Sequence, residues 1–355
     1  MTLDSVTDPI ELPLIDISKS DDPEVGKAIL DATIKYGFFY IDSRATAVTN
    51  ADIEQAFALS KEFFKLPVEE KSLYRREPNN RGWIGMNVET LDPERHERGD
   101  FKEAMNIGEF KDGKAQQKLP QCLATNEAQI AHFTDLCNQI CGQILRLLAL
   151  GLEMQEDFFT SRHDPAKGPT GNSVRLLYYP AAVSSYRPDK DIRAGAHSDY
   201  GSVTLLFQCP GQPGLEILTP ESKWAPVPVY PDGKIDFPFP PILVNIGDML
   251  SYWTDGLLKS TVHRVVFPLE EKSDQNHKPQ DRYSIAFFCQ PVSSTELAPV
   301  PSNIVAAYRD QKQEKGQDVI VGHGGGVRHL HLDKYRLTAG EHLQARLQAT
   351  YISSP

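Results

Sequence analysis

Cysteine is scarce in this 355-residue sequence, which contains five cysteines and no C-x-x-C pair. This number and spacing exclude a disulfide framework, and we expect free thiols in a reducing compartment. The first eight residues also lack the basic start and the apolar segment of a secretory signal peptide. We therefore predict a cytoplasmic protein.

Basic residues are also in the minority, with 37 Lys and Arg against 48 Asp and Glu and a formal net charge of −11. No dense basic run interrupts this balance, so neither nucleic acid nor an anionic membrane surface is expected as a partner. Long hydrophobic runs are absent too, whereas a membrane-spanning helix needs roughly 20 apolar residues. The sequence carries no signal for an oligomeric state.

The sequence does contain two contrasting patterns of apolar residues. Residues 126–152 have a helical repeat whose apolar face includes Ile130, Cys137 and Ile144. From residue 174 to residue 288 the pattern changes to short apolar strands, with turns every eight to twelve residues or so. The second pattern predicts a mainly β protein with helical additions and a double-stranded β-helix (jelly roll) core.

No internal repeat or biased linker divides the chain into separate domains. The expected parts are an N-terminal arm (1–11), an N-terminal helix and strand region (12–125), a backing helix with its connection (126–173), the jelly-roll core (174–295) and a C-terminal helical extension (296–355).

Local signals predict several individual elements. Asn50 has the residue type and position of an N-cap, with a helix running from it to Phe64. Residues 242–246 and 249–253 are expected to be strands on either side of a short glycine-containing turn. Thr338 and Glu341 have the spacing of a capping box and predict a final helix.

His197 and Asp199 carry the strongest chemical signal. Side chains at positions i and i+2 of a strand point to the same face, so one imidazole and one carboxylate lie side by side. His263 lies in a later strand-like run and adds a second imidazole. Two histidines and one carboxylate leave open positions on a metal, which is the ligand set of non-haem Fe(II) oxygenases.

A second pair of residues follows the metal candidates. Arg282 and Ser284 are again at i and i+2, at the start of another apolar strand. A planar guanidinium beside a hydroxyl is suited to binding a carboxylate. The sequence therefore predicts an iron site followed by a carboxylate site.

These motifs occur in the order found in a known enzyme family. The segments are GAHSDYG (195–201), VNIGD (244–248), STVHRV (260–265) and RYS (282–284), preceded by LPLID (12–16) and YGFFYI (36–41). Together they resemble the Fe(II)/2-oxoglutarate-dependent dioxygenases, in the branch related to isopenicillin N synthase. The resemblance extends over about residues 12–291, which is most of the chain.

The resemblance implies a reaction and several residue roles. It implies an enzyme that binds Fe(II), 2-oxoglutarate and O2, and that hydroxylates, desaturates or cyclises a small molecule with release of succinate and CO2. Arg282 and Ser284 would bind the distal carboxylate of 2-oxoglutarate, and Tyr179 would contact the same cosubstrate. Arg81 and Trp83 fall in the region that covers the active-site mouth and are expected to meet substrate.

The chain departs from related plant enzymes two residues before this tyrosine, where Leu177 replaces an Asn. Isopenicillin N synthase carries the same iron ligands and the same Arg-x-Ser pair, yet uses no 2-oxoglutarate. Two alternatives therefore stay open: an Fe(II) oxidase that holds its substrate's own carboxylate, and a jelly roll that binds a ligand without turnover.

Two rival motifs lie near the C-terminus. His323 and the three glycines after it resemble the oxyanion loop of lipases and esterases, but the G-x-S-x-G nucleophile motif is missing. His331, Asp333 and His342 could form another metal set, but no series of strands surrounds them. We expect neither motif to carry the chemistry.

Overall fold

The structure is a computed structural model that describes residues 8–93, 95, 98–181, 187, 191–231, 237–267, 280–316 and 337–351. Within these residues the strands, in chain order, are β1 (Leu14–Ile15), β2 (Phe38–Ile41), β3 (Gly82–Ile84), β4 (Glu103–Ile107), β5 (Phe110–Lys111), β6 (Lys114–Ala115), β7 (Ser173–Tyr179), β8 (Ala194–His197), β9 (Val203–Gln208), β10 (Leu215–Leu218), β11 (Trp224–Pro226), β12 (Ile242–Ile246), β13 (His263–Val265) and β14 (Arg282–Cys289).

Two sheets form the core of the molecule. The major sheet has eight strands in the order β1-β2-β12-β9-β14-β7-β4-β3, and the minor sheet has the order β11-β10-β13-β8. Most neighbouring strands are antiparallel, and strands distant in sequence lie side by side, as a double-sheet jelly roll requires. The predicted double-stranded β-helix core is confirmed.

Helices cover the outer face of the major sheet. The helices of the described residues, of which α1, α2 and α5 contact the strands of this sheet most, are α1 (Pro23–Lys35), α2 (Asn50–Phe64), α3 (Val68–Lys71), α4 (Gln121–Ala124), α5 (Glu127–Gly151), α6 (Asp248–Trp253), α7 (Asn303–Glu314) and α8 (Ala339–Tyr351). The long amphipathic helix α5 buries the apolar face that the sequence indicates, including Ile130, Cys137 and Ile144. None of the described helices is long and apolar enough to cross a membrane.

The two faces of the major sheet belong to two different hydrophobic cores. Ile285 and Phe287 of β14 pack into the large core between the sheet and the helices. Ala286 and Phe288 of the same strand pack into the smaller core between the two sheets. This alternation follows from the two-residue repeat of a strand, and it decides which side chains face the inside of the barrel.

Two local expectations were wrong. Residues 249–253 are not a strand but part of helix α6, because Gly247 is followed by a turn whose amides bond back to the 199–201 segment. The N-cap of α2 is Thr49 rather than Asn50, since the Thr49 hydroxyl accepts a hydrogen bond from the Asp52 amide in a capping box.

A glycine after α1 allows the N-terminal region to pack against the core. Gly37 has a φ of +71°, and a Cβ there would lie 2.3 Å from the carbonyl oxygen of Lys259. Only glycine fits this close approach without displacing the backbone. Strand β2 can therefore follow α1 directly and pair with β12 in the major sheet.

Candidate active site

The minor sheet brings the three predicted metal ligands together. β8 and β13 are antiparallel neighbours in which His263 pairs with His197, and their ring centroids are 4.2 Å apart. The Nε2 atoms of His197 and His263 lie 3.9 Å and 3.8 Å from Oδ1 of Asp199. One ligand atom from each residue lies within 4.8 Å of the other two, which is the separation expected of ligands around one ion.

The remaining polar atoms of these ligands are held by the protein. The ring Nδ1 atoms of His197 and His263 lie 2.8 Å and 3.1 Å from the carbonyl oxygens of Gly195 and Thr261. An Nδ1–H that donates to a carbonyl leaves Nε2 unprotonated and able to bind a metal. The ligand set therefore fits Fe(II) in both composition and orientation.

The carboxylate of Asp199 is fixed by two neighbouring strands. Its Oδ2 accepts hydrogen bonds of 2.7 Å from Thr204 on β9 and 2.7 Å from Asn245 on β12. These two residues are directly paired across the strands, so both donors approach the same oxygen. Oδ1 is left facing the two histidines.

Electrostatics also favour a metal cation at this position. Burial, followed by the neighbouring His263, lowers the pKa of His197 to about 3, so its imidazole is neutral at physiological pH. Burial alone would raise the pKa of Asp199, but the two histidines and its hydrogen bonds lower it below its ordinary value. Neutral imidazoles and an ionised carboxylate are the protonation states that a metal requires of its ligands.

Arg282 lies at the start of β14, almost completely buried. Its Nη1 donates to the Ser284 hydroxyl at 3.3 Å, and its Nε donates to the carbonyl oxygen of Gln212 at 3.2 Å. No carboxylate among the described residues forms an ion pair with it. Burial lowers the pKa of Arg282 below its usual range, and the guanidinium remains a cation that needs a counter-charge.

Gln208, beside Arg282, also has a side-chain atom without a hydrogen-bond partner among the described residues. The Oε1 atom of Gln208 accepts a hydrogen bond from Arg282 at 3.5 Å, but its buried Nε2 has no partner in the described part of the chain. A buried donor without an acceptor is costly. A carboxylate bound here would accept from the amide and from the guanidinium together, so these residues fit the distal carboxylate of 2-oxoglutarate.

Tyr179 is the β7 residue opposite Arg282, and the guanidinium lies 5.0 Å from the centre of its ring. Two residues earlier on β7, Leu177 pairs with Ser284. The structure thus puts the predicted cosubstrate residues on two adjacent strands, all facing the inside of the barrel. The apolar Leu177 faces the same interior.

A cavity of about 160 Å³ lies above the metal ligands. Its lining includes His197, Asp199 and Tyr179 from the predicted site, together with residues of the N-terminal region and the C-terminal helix α8. A cavity of this size accommodates a small molecule.

Comparisons with known proteins agree with this geometry. A family model described as the 2OG-Fe(II) oxygenase superfamily matches residues 170–291, and one described as the non-haem dioxygenase in morphine synthesis N-terminal region matches residues 12–127. The homoarginine-6-hydroxylase 2-ODD-C23.1 of Arabidopsis thaliana is 31% identical, covering 79% of this chain and 85% of that protein. The chain belongs to the 2OG-Fe(II) oxygenase superfamily.

Two further relatives align with nearly the full length of this chain. The UPF0676 protein C1494.01 of Schizosaccharomyces pombe is 33% identical over 96% of this chain and 93% of that protein. A crystal structure of Neurospora crassa T7H in complex with α-KG (2-oxoglutarate) and thymine is 29% identical, covers 99% of both chains and has a TM-score of 0.71. The predicted cofactors, Fe(II) and 2-oxoglutarate, are confirmed as those of this family.

The two residues expected to meet substrate lie in different places in this oxygenase. Arg81 lines the cavity and donates to the carbonyl oxygen of Gln116 at 2.9 Å. Trp83 is buried in the core beneath the helices, where its indole N–H donates to Glu103 at 2.7 Å. The reason is strand alternation: Ile84, not Trp83, faces the inside of the barrel. Only Arg81 therefore lies at the cavity.

Sequence reasoning missed a network of charged residues in the cavity wall. The buried carboxylate of Glu89 accepts from Lys102 at 2.9 Å and from Arg175 at 2.6 Å. Lys102 also pairs with Asp100, which accepts a hydrogen bond from the backbone amide of Gly195. Arg175 lies 86 residues from Glu89 in the sequence, so this contact depends on the fold. The strand predicted around Arg175 was a signal for it, because alternate residues of a strand share a face.

The C-terminal helix α8 also contributes to the site. Leu343 and Leu347 of α8 line the cavity, and Arg346 forms a 2.7 Å ion pair with Asp248. Asp248 in turn donates its amide to the carbonyl oxygen of Asp199 at 2.7 Å. The helix is therefore tied directly to the metal-ligand loop.

The rival motifs acquire no support. His342 is buried on α8 with its ring beside that of Tyr252. Its proposed partners His331 and Asp333, and the loop that begins at His323, lie outside the described residues. In the part of the chain that is described, the one group of three residues spaced for a metal is the triad described above.

Proposed function

We propose that this oxygenase hydroxylates a C–H bond of a compact small molecule bound in the cavity above the iron ligands. In this proposal His197, Asp199 and His263 hold Fe(II), while Arg282 and Ser284 bind the distal carboxylate of 2-oxoglutarate. The observation that carries the proposal is Arg282: a buried guanidinium without a described carboxylate partner, inside the same barrel as the metal ligands.

Bound Fe(II), together with 2-oxoglutarate and O2, supplies the oxidising power for C–H cleavage. The protein's residues supply position and exclusion of water. Arg282, Ser284 and the amide of Gln208 orient the cosubstrate by its far end, and Tyr179 limits its movement along the strand. Leu177 and the leucines of α8 keep water from the reacting bond, which favours productive turnover.

Hydroxylation is favoured over desaturation or ring closure by the names of the relatives. Homoarginine-6-hydroxylases of Arabidopsis thaliana and Oryza sativa are 31% and 30% identical to this chain. The substrate of this chain is proposed only as a class: a molecule small enough for the cavity. The four buried free cysteines and the need for ferrous iron favour the cytoplasm as its location.

The test is a visible absorption spectrum of the purified protein without oxygen. We expect a weak metal-to-ligand charge-transfer band only when Fe(II) and 2-oxoglutarate are both present, because the band requires chelation of the cosubstrate at the metal. The same mixture with Arg282→Gln should need far more 2-oxoglutarate. Iron binding without the band would contradict the proposed role of Arg282, and no iron binding would contradict the whole proposal.

A further inference from the structure

The inward-facing side chains of β14 extend from the cosubstrate end to the cavity. Arg282 and Ser284 begin this row, and Ala286 and Phe288 continue it. Gln290 follows at the next alternate position, just beyond the strand. Phe288 and Gln290 both line the cavity, so one strand connects the proposed carboxylate site with a second polar group near the substrate.

Gln290 is held in place by its backbone, whereas its side-chain oxygen is not bonded to any described residue. Its backbone amide donates to Oδ1 of Asn172 at 2.7 Å, and Asn172 in turn donates to Asn138 at 2.9 Å. The side chain is 5% exposed, yet its Oε1 accepts no hydrogen bond from any described residue. A buried amide oxygen without a donor costs free energy unless a ligand supplies the donor.

The amide lies beside the metal-ligand loop. A Cβ built on Gly201 would lie 3.4 Å from the Nε2 of Gln290, and Gly201 comes two residues after Asp199. The segment that carries Gly201 is fixed to the segment that carries Gln290, because the Ser202 amide donates to the carbonyl oxygen of Cys289 at 2.9 Å. A ligand that bonds to this amide is therefore adjacent to the proposed iron site.

The cationic side chains of the cavity wall already have an anionic partner. Lys102 and Arg175 both bind Glu89, at 2.9 Å and 2.6 Å. This pairing leaves a neutral ligand as the better fit, since an anionic ligand would have to compete with Glu89 and a cationic ligand would have to compete with Lys102 and Arg175. Phe288 adds a partly exposed aromatic ring, which packs well against a flat ring.

We propose that Gln290 is a specificity-determining residue that pairs its carboxamide with a cyclic amide edge, N–H beside C=O, of a flat and neutral substrate. A primary carboxamide offers one acceptor and two donors, and it matches such an edge with two parallel hydrogen bonds. Phe288 stacks against the same ring. This assignment rests on the proposed function, because it takes the cavity to be the substrate site.

The experiment uses thymine as the probe and 1,3-dimethylthymine as its matched analogue without N–H donors. Dissociation constants are measured by calorimetry on the full chain with Fe(II) and 2-oxoglutarate, without oxygen. We expect wild-type protein to bind thymine about 10-fold or more tightly than the dimethyl analogue, because the analogue leaves the amide oxygen unpaired. In Gln290→Leu this preference should disappear.

The control variant Gln129→Leu replaces an exposed glutamine on α5 and should keep the wild-type preference. Phe288→Leu should weaken both probes by a similar factor, because it removes stacking and leaves the amide in place. Wild-type protein that binds neither probe, or a Gln290→Leu variant that keeps the preference, would overturn the assignment.

The charge-transfer band separates this inference from the function on which it rests. The band needs Fe(II) and 2-oxoglutarate but not the substrate-recognising amide. We therefore expect the band in wild-type protein, in Gln290→Leu and in Phe288→Leu. A band without selective thymine binding overturns the role of Gln290 and leaves the proposed function standing. A missing band in wild-type protein overturns the proposed function itself.

Discussion

Each proposed metal ligand is fixed by a hydrogen bond on the side away from the metal position. Asp199 is held through Oδ2 by Thr204 and Asn245, while the two histidines are held by backbone carbonyl groups. Such contacts set the orientation of a ligand before the metal binds. The backbone pairing of β8 with β13 does not require these side chains, so we expect the fold to survive their replacement.

His197→Ala and Asp199→Ala are therefore expected to lose more than about 100-fold of the turnover measured as succinate formation, because each variant removes one of the three protein ligands. Circular dichroism should show an unchanged fold. His132→Ala, which replaces an exposed histidine on α5, is the control and should keep full turnover. Wild-type turnover in either ligand variant would show that the iron site lies elsewhere.

Arg282 provides the second prediction for a single residue. Arg282→Lys keeps the charge but loses the paired donors, and we expect the KM for 2-oxoglutarate to rise about 10-fold. Arg282→Gln also removes the charge, and a rise of about 100-fold or more is expected. Arg44→Gln, at an exposed arginine, serves as the control. An unchanged KM in both Arg282 variants would contradict the carboxylate site.

At the residue scale, the sequence was informative where function depends on spacing within one strand. His197 with Asp199, and Arg282 with Ser284, were readable because alternate residues of a strand share a face. The sequence did not show that Trp83 faces away from the barrel, because a three-residue strand can have either phase. It also gave no sign that Gln208 approaches Arg282, since that contact depends on strand pairing across 74 residues.

Helix α8 is connected to the proposed metal site through one buried ion pair, between Arg346 and Asp248. Arg346 and Asp248 are both buried, and Asp248 accepts a hydrogen bond from Ser260 at 2.6 Å while its amide bonds to the Asp199 carbonyl. The position of α8 and the geometry of the ligand loop therefore depend on the same ion pair.

Removing this pair should release the helix. Arg346→Ala leaves the Asp248 carboxylate buried without its cation, a change that costs about 3 to 5 kcal/mol when the carboxylate stays buried. Opening α8 relieves the cost, so we expect its backbone amides to exchange hydrogen at least about 10-fold faster. Turnover should fall as well, because Leu343 and Leu347 leave the cavity wall. Hydrogen exchange by mass spectrometry measures the first effect.

Arg146→Ala is a matched control on α5, where the exposed arginine pairs with Glu156. Exposed pairs contribute little, so exchange in α8 should be unchanged in this variant. Equal exchange in Arg346→Ala and wild-type protein would show that the leucine contacts alone hold the helix.

At the element scale, long periodic helices and strand runs were predictable, but short apolar segments were not. Helix α5 and strands β7, β12 and β14 were expected from their repeats. Residues 249–253 contain apolar residues without a diagnostic period, and such a run does not distinguish a strand from a buried helix. Helix α6 forms there because backbone contacts to the 199–201 segment fix its first turn.

For the molecule as a whole, two buried histidines lie outside the proposed metal site. His163 follows α5, and its ring bonds to the Phe159 carbonyl at 2.8 Å and to the Ser202 hydroxyl at 3.0 Å. His342 lies on α8 with neither ring nitrogen bonded to a described residue. Burial lowers the pKa of each to about 4, and for His342 the nearby Arg346 adds to the effect.

These two histidines should make the folded state sensitive to acid. The unfolded chain takes up a proton on each near pH 6.5, whereas the folded chain does so only near pH 4. Their contribution to stability is therefore complete above about pH 6.5 and is lost as the pH falls toward 4. At pH 5 the expected loss is about 2 kcal/mol for each histidine, relative to pH 8.

The measurement is the free energy of unfolding in urea at pH 8, 6 and 5 for wild-type protein and His163→Gln. Buried carboxylates also titrate in acid, so the informative quantity is the difference between the two proteins. The variant should lose about 2 kcal/mol less than wild-type protein between pH 8 and pH 5, because the glutamine that replaces the histidine cannot take up a proton in either state. His132→Gln, an exposed control, should follow the wild-type curve. Parallel curves for wild-type protein and His163→Gln would mean that the His163 imidazole accepts a proton in the folded protein as readily as in the unfolded chain.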